Sequence, residues 1–259
     1  MNKSKNYEDQ KKRELEWWKG KKKKKGLIGN ILNSRLFYDP IRSYFSYSLS
    51  KNKFKHVIQE NLENKKLEKL LIAPCGEGDD YQYLKEFSHE VHGIDLSPIC
   101  IKNCPDKMIT KVGDILKSGY PNEAFDLIVS TLFFHHLVKI GFHPFLKEFY
   151  RILKPGGKIA ILDFSVFYPL NAITRPLKTI FRNPYGEIEE EAPFRPKFMI
   201  ESLKQVGFKN FELYGGTFSH SFFYIPIAKL IHFITKPLLD KSPFKKFAWT
   251  VIYWGEKPR

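Results

Sequence analysis

Lys69–Asp80 reads KLLIAPCGEGDD. Leu70 to Ala73 form an unbroken apolar run, the pattern required of a strand buried on both faces. The run meets Pro74 and Cys75 and then two glycines, Gly76 and Gly78. Glycines at a strand end let the backbone turn sharply and approach a ligand without a Cβ in the way. The third glycine of a dinucleotide fingerprint would fall at Tyr81, which disfavours a nicotinamide cofactor. Asp79 or Asp80 is placed to cap a following helix.

Outward from this turn, short apolar runs alternate with helical stretches. Strands are expected at Lys69–Pro74, Glu90–Leu96, Met108–Gly113, Phe125–Leu132 and Lys158–Phe164, near-continuously apolar, with two more at Phe211–Gly215 and Trp249–Trp254. Pro144–Leu153 predicts a helix with Phe145, Leu146, Phe149, Ile152 and Leu153 on one stripe, closed by Gly156 and Gly157. A second helix is expected over Pro196–Val206, with Met199, Leu203 and Val206 inward and Gly207 as its stop. Residues 27–65 read as helix in pieces, broken at Pro40, with Phe37, Ile41, Phe45 and Leu49 at spacings of four. Such alternation predicts an α/β fold with a mostly parallel sheet covered by helices on both faces. The expected organisation is a basic, helical N-terminal extension over 1–65 and a domain over 66–259. That domain carries an insertion at about 165–195, where ligands bind in such sheets, and an apolar, basic segment at about 217–247.

The second strand ends at Asp95, 17 residues after Gly78. An acid there can accept hydrogen bonds from both hydroxyls of a ribose. Gly113-Asp114-Ile115 follows the third strand, with Asp114 placed to accept from an adenine amino group. The fourth strand runs through Ser130-Thr131-Leu132-Phe133-Phe134-His135-His136-Leu137, and Arg151-Ile152-Leu153-Lys154-Pro155-Gly156-Gly157 precedes the fifth.

This series resembles the class I S-adenosylmethionine-dependent methyltransferases, in particular the group that includes ubiquinone, menaquinone and sterol methyltransferases. The likeness covers roughly 66–165, and 195–257 in outline. It implies a Rossmann-like, seven-stranded sheet ending in an antiparallel hairpin, with S-adenosyl-L-methionine as cofactor. Carried over, Ala73, Pro74, Cys75, Gly76 and Gly78 form the backbone platform for the amino-acid end. Asp95 holds the ribose, Leu96 packs on adenine, and Asp114 with Ile115 reads its edge. Thr131, Leu132 and His136 line the methionine side. Two departures stand out: Ile72 replaces the usual acid, and Pro74, which lacks an N–H, replaces a usual glycine.

Methyl transfer needs nucleophile and methyl aligned, and for some acceptors a proton removed. His135 and His136 are the candidate bases, because imidazole titrates near neutrality. Either also reads as a helix-start residue bonded to backbone. Cys100 and Cys104, four apart, lack partners at zinc spacing and read as buried thiols, so no metal is expected. Tyr81, Tyr168, Tyr185 and Tyr214 are candidates for cation–π contact with the sulfonium, against plain core packing. Glu189 to Glu191 reads as a solvated charge run.

The 259 residues hold 43 Lys and Arg against 28 Asp and Glu, a net charge of +15. The excess lies at the ends: eleven basic against four acidic residues over 1–26, and seven against two over 217–259. With three cysteines and no apolar run long enough to span a bilayer, the chain reads as cytoplasmic, with peripheral attachment at the inner membrane face open. Trp17 and Trp18 before the run Lys21 to Lys25 suit an anionic membrane surface, and the same run would attract nucleic acid. Members of this fold that methylate DNA amino groups carry an Asn/Asp-Pro-Pro-Tyr signature after strand four. Ser130-Thr131-Leu132-Phe133 stands there instead, which disfavours nucleic-acid bases. The apolar stretch Phe222–Ile234, followed by Lys236, Lys241, Lys245 and Lys246, reads either as an interfacial segment with its apolar face inward or as a core or lid helix over the substrate pocket. Together with the Trp-Lys N-terminus it favours a small or lipid-like acceptor, a quinone, isoprenoid or lipid-linked molecule. A non-catalytic cofactor-binding regulator and an RNA-associated methyltransferase stay open as alternatives.

Overall fold

The computed structural model describes residues 3–19, 40–172, 191–241 and 243–259. All seven expected strands are present: β1 (Leu67–Ile72), β2 (Ser88–Asp95), β3 (Ile109–Val112), β4 (Phe125–Thr131), β5 (Leu153–Phe164), β6 (Lys209–Thr217) and β7 (Thr250–Glu256). They form one sheet in the order β3-β2-β1-β4-β5-β7-β6. β1 to β5 pair in parallel, and β7 lies antiparallel between β5 and β6. This is the mostly parallel sheet with an antiparallel terminal hairpin that the sequence implies.

Side chains along a strand alternate between faces, and here each face has its own core. Leu71, Ile128, Ile159, Ile161 and Tyr253 point into one, Leu70, Ile72, Leu127, Val129, Leu162 and Trp254 into the other. Two-sided burial explains why the central strands are apolar without alternation. β3 differs. As an edge strand it leaves Ile109 and Val112 about half exposed, so the expectation of a fully covered strand fails there.

Among the described residues the main helices are α1 (Lys3–Trp18), α2 (Pro40–Asn61), α3 (Tyr81–Leu84), α4 (Pro98–Lys102), α5 (His143–Ile152), α6 (Pro196–Val206) and α7 (Ile225–Thr235). α5 buries Phe145, Leu146, Phe149 and Ile152. α6 ends as expected at Gly207, whose φ of +113° suits only glycine at low cost. Pro40 begins α2, and residues 27–39 before it lie outside the described residues. In α2 the inward face is Ser46, Ser50, Phe54, Val57 and Ile58, whereas Ile41 is exposed. Two hydroxyls fix its approach: Ser50 Oγ lies 2.8 Å from Thr250 Oγ1, and Ser46 Oγ donates to the His220 carbonyl at 3.1 Å. No described helix is long and apolar enough to cross a membrane. Of the insertion, 173–190 lies outside the described residues; its ends meet at a bridge between Ser165 and Phe194.

Gly156 and Gly157 do not close α5. The chain passes from Ile152 straight into β5, whose pairing jumps from Phe125–Leu153 to Leu127–Lys158. Lys154 to Gly157 form the intervening bulge. The Gly156 N–H donates to the Lys257 carbonyl at 2.8 Å, tying the bulge to the chain just beyond β7. A Cβ on Gly157 would stand 2.7 Å from the Lys154 carbonyl oxygen and 2.6 Å from Leu153 Cδ2. Gly157→Ala should therefore cost about 1–3 kcal/mol, the range for overpacking. Urea unfolding would show a lower midpoint with an unchanged slope; an unchanged midpoint would contradict the tight bulge.

Candidate active site

The sheet order reverses between β1 and β4, so the loops after them leave on opposite faces and open a crevice at the carboxyl ends of the strands. A cavity of about 370 Å³ occupies this place, within the size range of small-molecule sites. Pro74, Cys75 and Gly76 after β1, Asp95 and Leu96 at β2, and Thr131, Leu132 and His136 after β4 all line it.

Asp95 organises one end. Its Oδ2 accepts the Gly76 N–H and its Oδ1 the Ser97 N–H, each at 2.9 Å. Burial raises the Asp95 carboxyl above the ordinary carboxylate range, and the two backbone donors oppose that shift. A carboxylate oxygen has two lone pairs, so both oxygens retain acceptor capacity toward the cavity. Gly76 has φ +52°, and a Cβ there would meet nothing within 4 Å. An acid with two acceptors beside open glycine backbone, flanked by the apolar Leu96, fits the ribose and adjoining parts of a nucleoside cofactor. Leu132 also takes a positive φ, +50°, where the chain leaves β4. For a γ-branched residue that conformation is uncommon and marks a constrained site.

Four residues expected at the cofactor do not reach the cavity. Ala73 is buried in the core. Gly78 has φ +79°, and a Cβ on it would stand 2.6 Å from Pro105 Cδ, so it serves close packing. Asp114 accepts from Tyr7 Oη and from Lys11 Nζ, both at 2.8 Å, and caps the turn that contains Ile115 through the Leu116 N–H. Its carboxylate, expected to read adenine, is bonded by Tyr7 and Lys11 of α1.

The two histidines separate. His135 is buried with Nδ1 2.8 Å from Asp163 Oδ1, and its N–H donates to Asp163 Oδ2. It is not among the residues that line the cavity. His136 faces the cavity, with Nδ1 3.1 Å from Glu14 Oε1 and 3.7 Å from Glu191 Oε1. Burial acts to lower its pKa, but the Glu14 contact and the charges of Glu14 and Glu191 prevail and raise it above 6.5. A raised histidine stabilises the fold while protonated. That contribution is complete below about pH 6.5 and fades as pH rises through the folded value.

Much of the cavity wall was not legible in the sequence. Tyr7, Gln10, Lys11, Glu14 and Leu15 come from α1 and Lys51 from α2. The Gln10 amide donates to the His136 carbonyl at 2.8 Å. Asp80 does not cap α3; it accepts the Thr131 hydroxyl and pairs with Lys51 Nζ at 2.9 Å. Glu191, expected in solvent, lines the cavity, while Glu189 and Glu190 lie outside the described residues. Of the four tyrosines weighed as cation–π candidates against core packing, Tyr185 also lies outside them. Tyr81, Tyr168 and Tyr214 are not in the wall, Tyr168 donating to the Phe218 carbonyl at 3.0 Å. Cys75 lines the cavity, but burial pushes its thiol pKa far up, which makes it an inert packing group. The Trp17 and Trp18 side chains and Lys21 to Lys25 lie outside the described part.

Residues 71–161 match the family described as a methyltransferase domain. Tocopherol O-methyltransferase of Arabidopsis thaliana is 32% identical over 148 residues, covering 49% of this chain and 42% of that protein. Phosphoethanolamine N-methyltransferase 3 of the same plant is 35% identical over 112 residues, covering 40% of this chain and 22% of that protein. The chain thus spans less than half the length of these relatives. A solved S-adenosylmethionine-dependent methyltransferase of Thermotoga maritima, described as a possible histamine N-methyltransferase, shares the fold. Its TM-score is 0.63 at 16% identity, over 84% of this chain and 91% of that one. Residues 71–161 thus match a methyltransferase domain, and the chain shares the fold of a solved S-adenosylmethionine-dependent methyltransferase.

Asp95→Ala removes the acceptor for the ribose and frees the Gly76 and Ser97 N–H groups. Hydrogen bonds to a charged group are worth about 1.5–3 kcal/mol each. Affinity for S-adenosylmethionine should fall at least about tenfold by titration calorimetry, with the circular dichroism spectrum retained. Unchanged affinity would overturn the placement of the cofactor.

Proposed function

We propose that the chain transfers the methyl group of S-adenosylmethionine to a small or lipid-like acceptor, such as a quinone, isoprenoid or lipid-linked molecule. One observation carries this reading: Asp95 and His136 face the same cavity, with the apolar Leu15, Leu132, Phe133 and Leu137 also in its wall. The acceptors named for the two relatives, tocopherol and phosphoethanolamine, span lipid-soluble and small polar chemistry. The apolar share of this wall favours the former.

The cofactor supplies a methyl group made electrophilic by its sulfonium. The protein's part is alignment, exclusion of water and, for an acceptor that must lose a proton, a base. α1 supplies one wall of the cavity over the strand ends, which limits the water that reaches it. His136, with Glu14 beside its Nδ1, takes up a proton as the acceptor attacks, and the carboxylates of Glu14 and Glu191 stabilise the imidazolium that results. Leu132 and Phe133 give the acceptor an apolar seat next to that imidazole.

The reading is tested by incubating purified protein with S-adenosylmethionine and a lipid extract. S-Adenosylhomocysteine and an acceptor heavier by one methyl group are expected by mass spectrometry. Cofactor binding without turnover on any lipid or polar extract would leave a non-catalytic binding protein.

His136→Asn should lower turnover about 10²–10⁴-fold, the usual contribution of a general base, with cofactor affinity little changed. Because the neutral imidazole is the active form, wild-type turnover should rise with pH to a plateau, with its midpoint above 6.5. Glu14→Gln should move that midpoint down. A profile indifferent to Glu14 would remove His136 from the proton path.

A further inference from the structure

Helix α7, IPIAKLIHFIT, is apolar throughout except for Lys229, His232 and the terminal Thr235, yet Ala228 is its one buried residue. At 3.6 residues per turn, Ile227, Leu230, Phe233 and Ile234 fall within an arc of about 120°. They are 49, 58, 79 and 63% exposed. The helix is docked by its other side, where His232 Nδ1 lies 3.3 Å from Thr217 Oγ1. This inverts the ordinary amphipathic arrangement, in which the apolar stripe faces the core. Four large aliphatic or aromatic side chains in one exposed stripe mark an interaction surface.

The charge around this stripe identifies the partner. Lys229 lies beside the arc, 6.0 Å from the Phe45 ring centroid, and so on the side where α2 passes. Lys236, Lys241, Lys245 and Lys246 follow in the next eleven residues, with Phe244 about half exposed among them. The only acid over the same stretch is Asp240, which pairs with Lys53 at 2.8 Å. A convex apolar arc flanked by lysines is complementary to acyl chains beneath anionic headgroups.

We propose that α7 and the turn through Phe244 dock this protein on an anionic lipid surface. The arc enters the boundary between headgroups and acyl chains, and the lysines lie among the phosphates. α7 joins Thr217, where β6 ends, to Thr250, where β7 begins, and Thr250 pairs with Phe164 at the carboxyl end of β5. The docking face therefore leaves the same edge of the sheet as the cavity, so an acceptor dissolved in the membrane would arrive on that side. Docking stands without the proposed acceptor; only this last consequence rests on it.

The test is flotation of the full chain with phosphatidylcholine vesicles, with and without phosphatidylglycerol, at low and high salt. Wild type should float with the anionic vesicles only, and less at high salt. The double variant Leu230→Glu, Phe233→Glu should float at least about fivefold less while binding S-adenosylmethionine by calorimetry as wild type does. That retained binding shows the fold intact and separates a failure of docking from a failure of the methyltransferase reading. Three results would overturn the proposal. One is wild type that does not float with anionic vesicles. The variant can float equally well, which would assign binding to another segment such as Lys21 to Lys25. Or wild type can be a dimer that the variant dissociates and that does not float, which would make a second copy the occupant of the arc.

Discussion

The site depends on a carboxylate fixed between two loops. Asp95 sits where β2 ends and accepts backbone N–H groups from the turn after β1 and from its own continuation. One side chain thereby locks the glycine turn to the neighbouring strand at the point where the sheet order reverses. A turn containing two glycines in the left-handed region would otherwise have many conformations to lose on binding. The bonds cost Asp95 little of its function, since each oxygen keeps capacity toward the cavity. Burial raises its pKa, so the group that holds the loop is also one whose charge is sensitive to its surroundings.

Around this anchor the N-terminal helices finish the cavity largely through polar contacts. Tyr7 and Lys11 reach Asp114, Gln10 reaches the carbonyl of His136, and Glu14 reaches its ring. Lys51 of α2 pairs with Asp80, which the Thr131 hydroxyl also holds. Where such pairs are partly buried they are stronger than at the surface and more costly to leave incomplete. The same contacts settle the electrostatics: two carboxylates around His136 outweigh its burial and favour the imidazolium.

The molecule also divides its apolar surface unevenly. Both faces of the sheet are covered, and α5 and α6 bury their stripes, but α7 turns its stripe outward. The contrast between α5 and α7 is one of context. Both have apolar residues at helical spacing, but α5 lies along a sheet face that needs covering. α7 sits beyond the strand ends, held by Ala228 and His232 on one narrow side.

The sequence by itself determined the seven strands, their mostly parallel arrangement, the helices α5 and α6, and the glycine turn at Gly76 with the acid Asp95 at a strand tip. Those features rest on local signals, in that apolar runs, glycine turns and an acid at a strand tip each act within a few residues. Thr131, Leu132 and His136, by contrast, were placed at the site only by the family resemblance. Tertiary structure alone decided that His135 pairs with Asp163, that Asp114 is held by Tyr7 and Lys11, and that Gly156 and Gly157 build a bulge. It also decided which polar residues of the N-terminal helices enter the cavity. Those outcomes depend on partners up to 126 residues away, as between Gln10 and His136. A hydroxyl or carboxylate on a helix carries no mark in the sequence of the group it will meet, because hydrogen-bond partners are chosen by the packing that the apolar pattern creates.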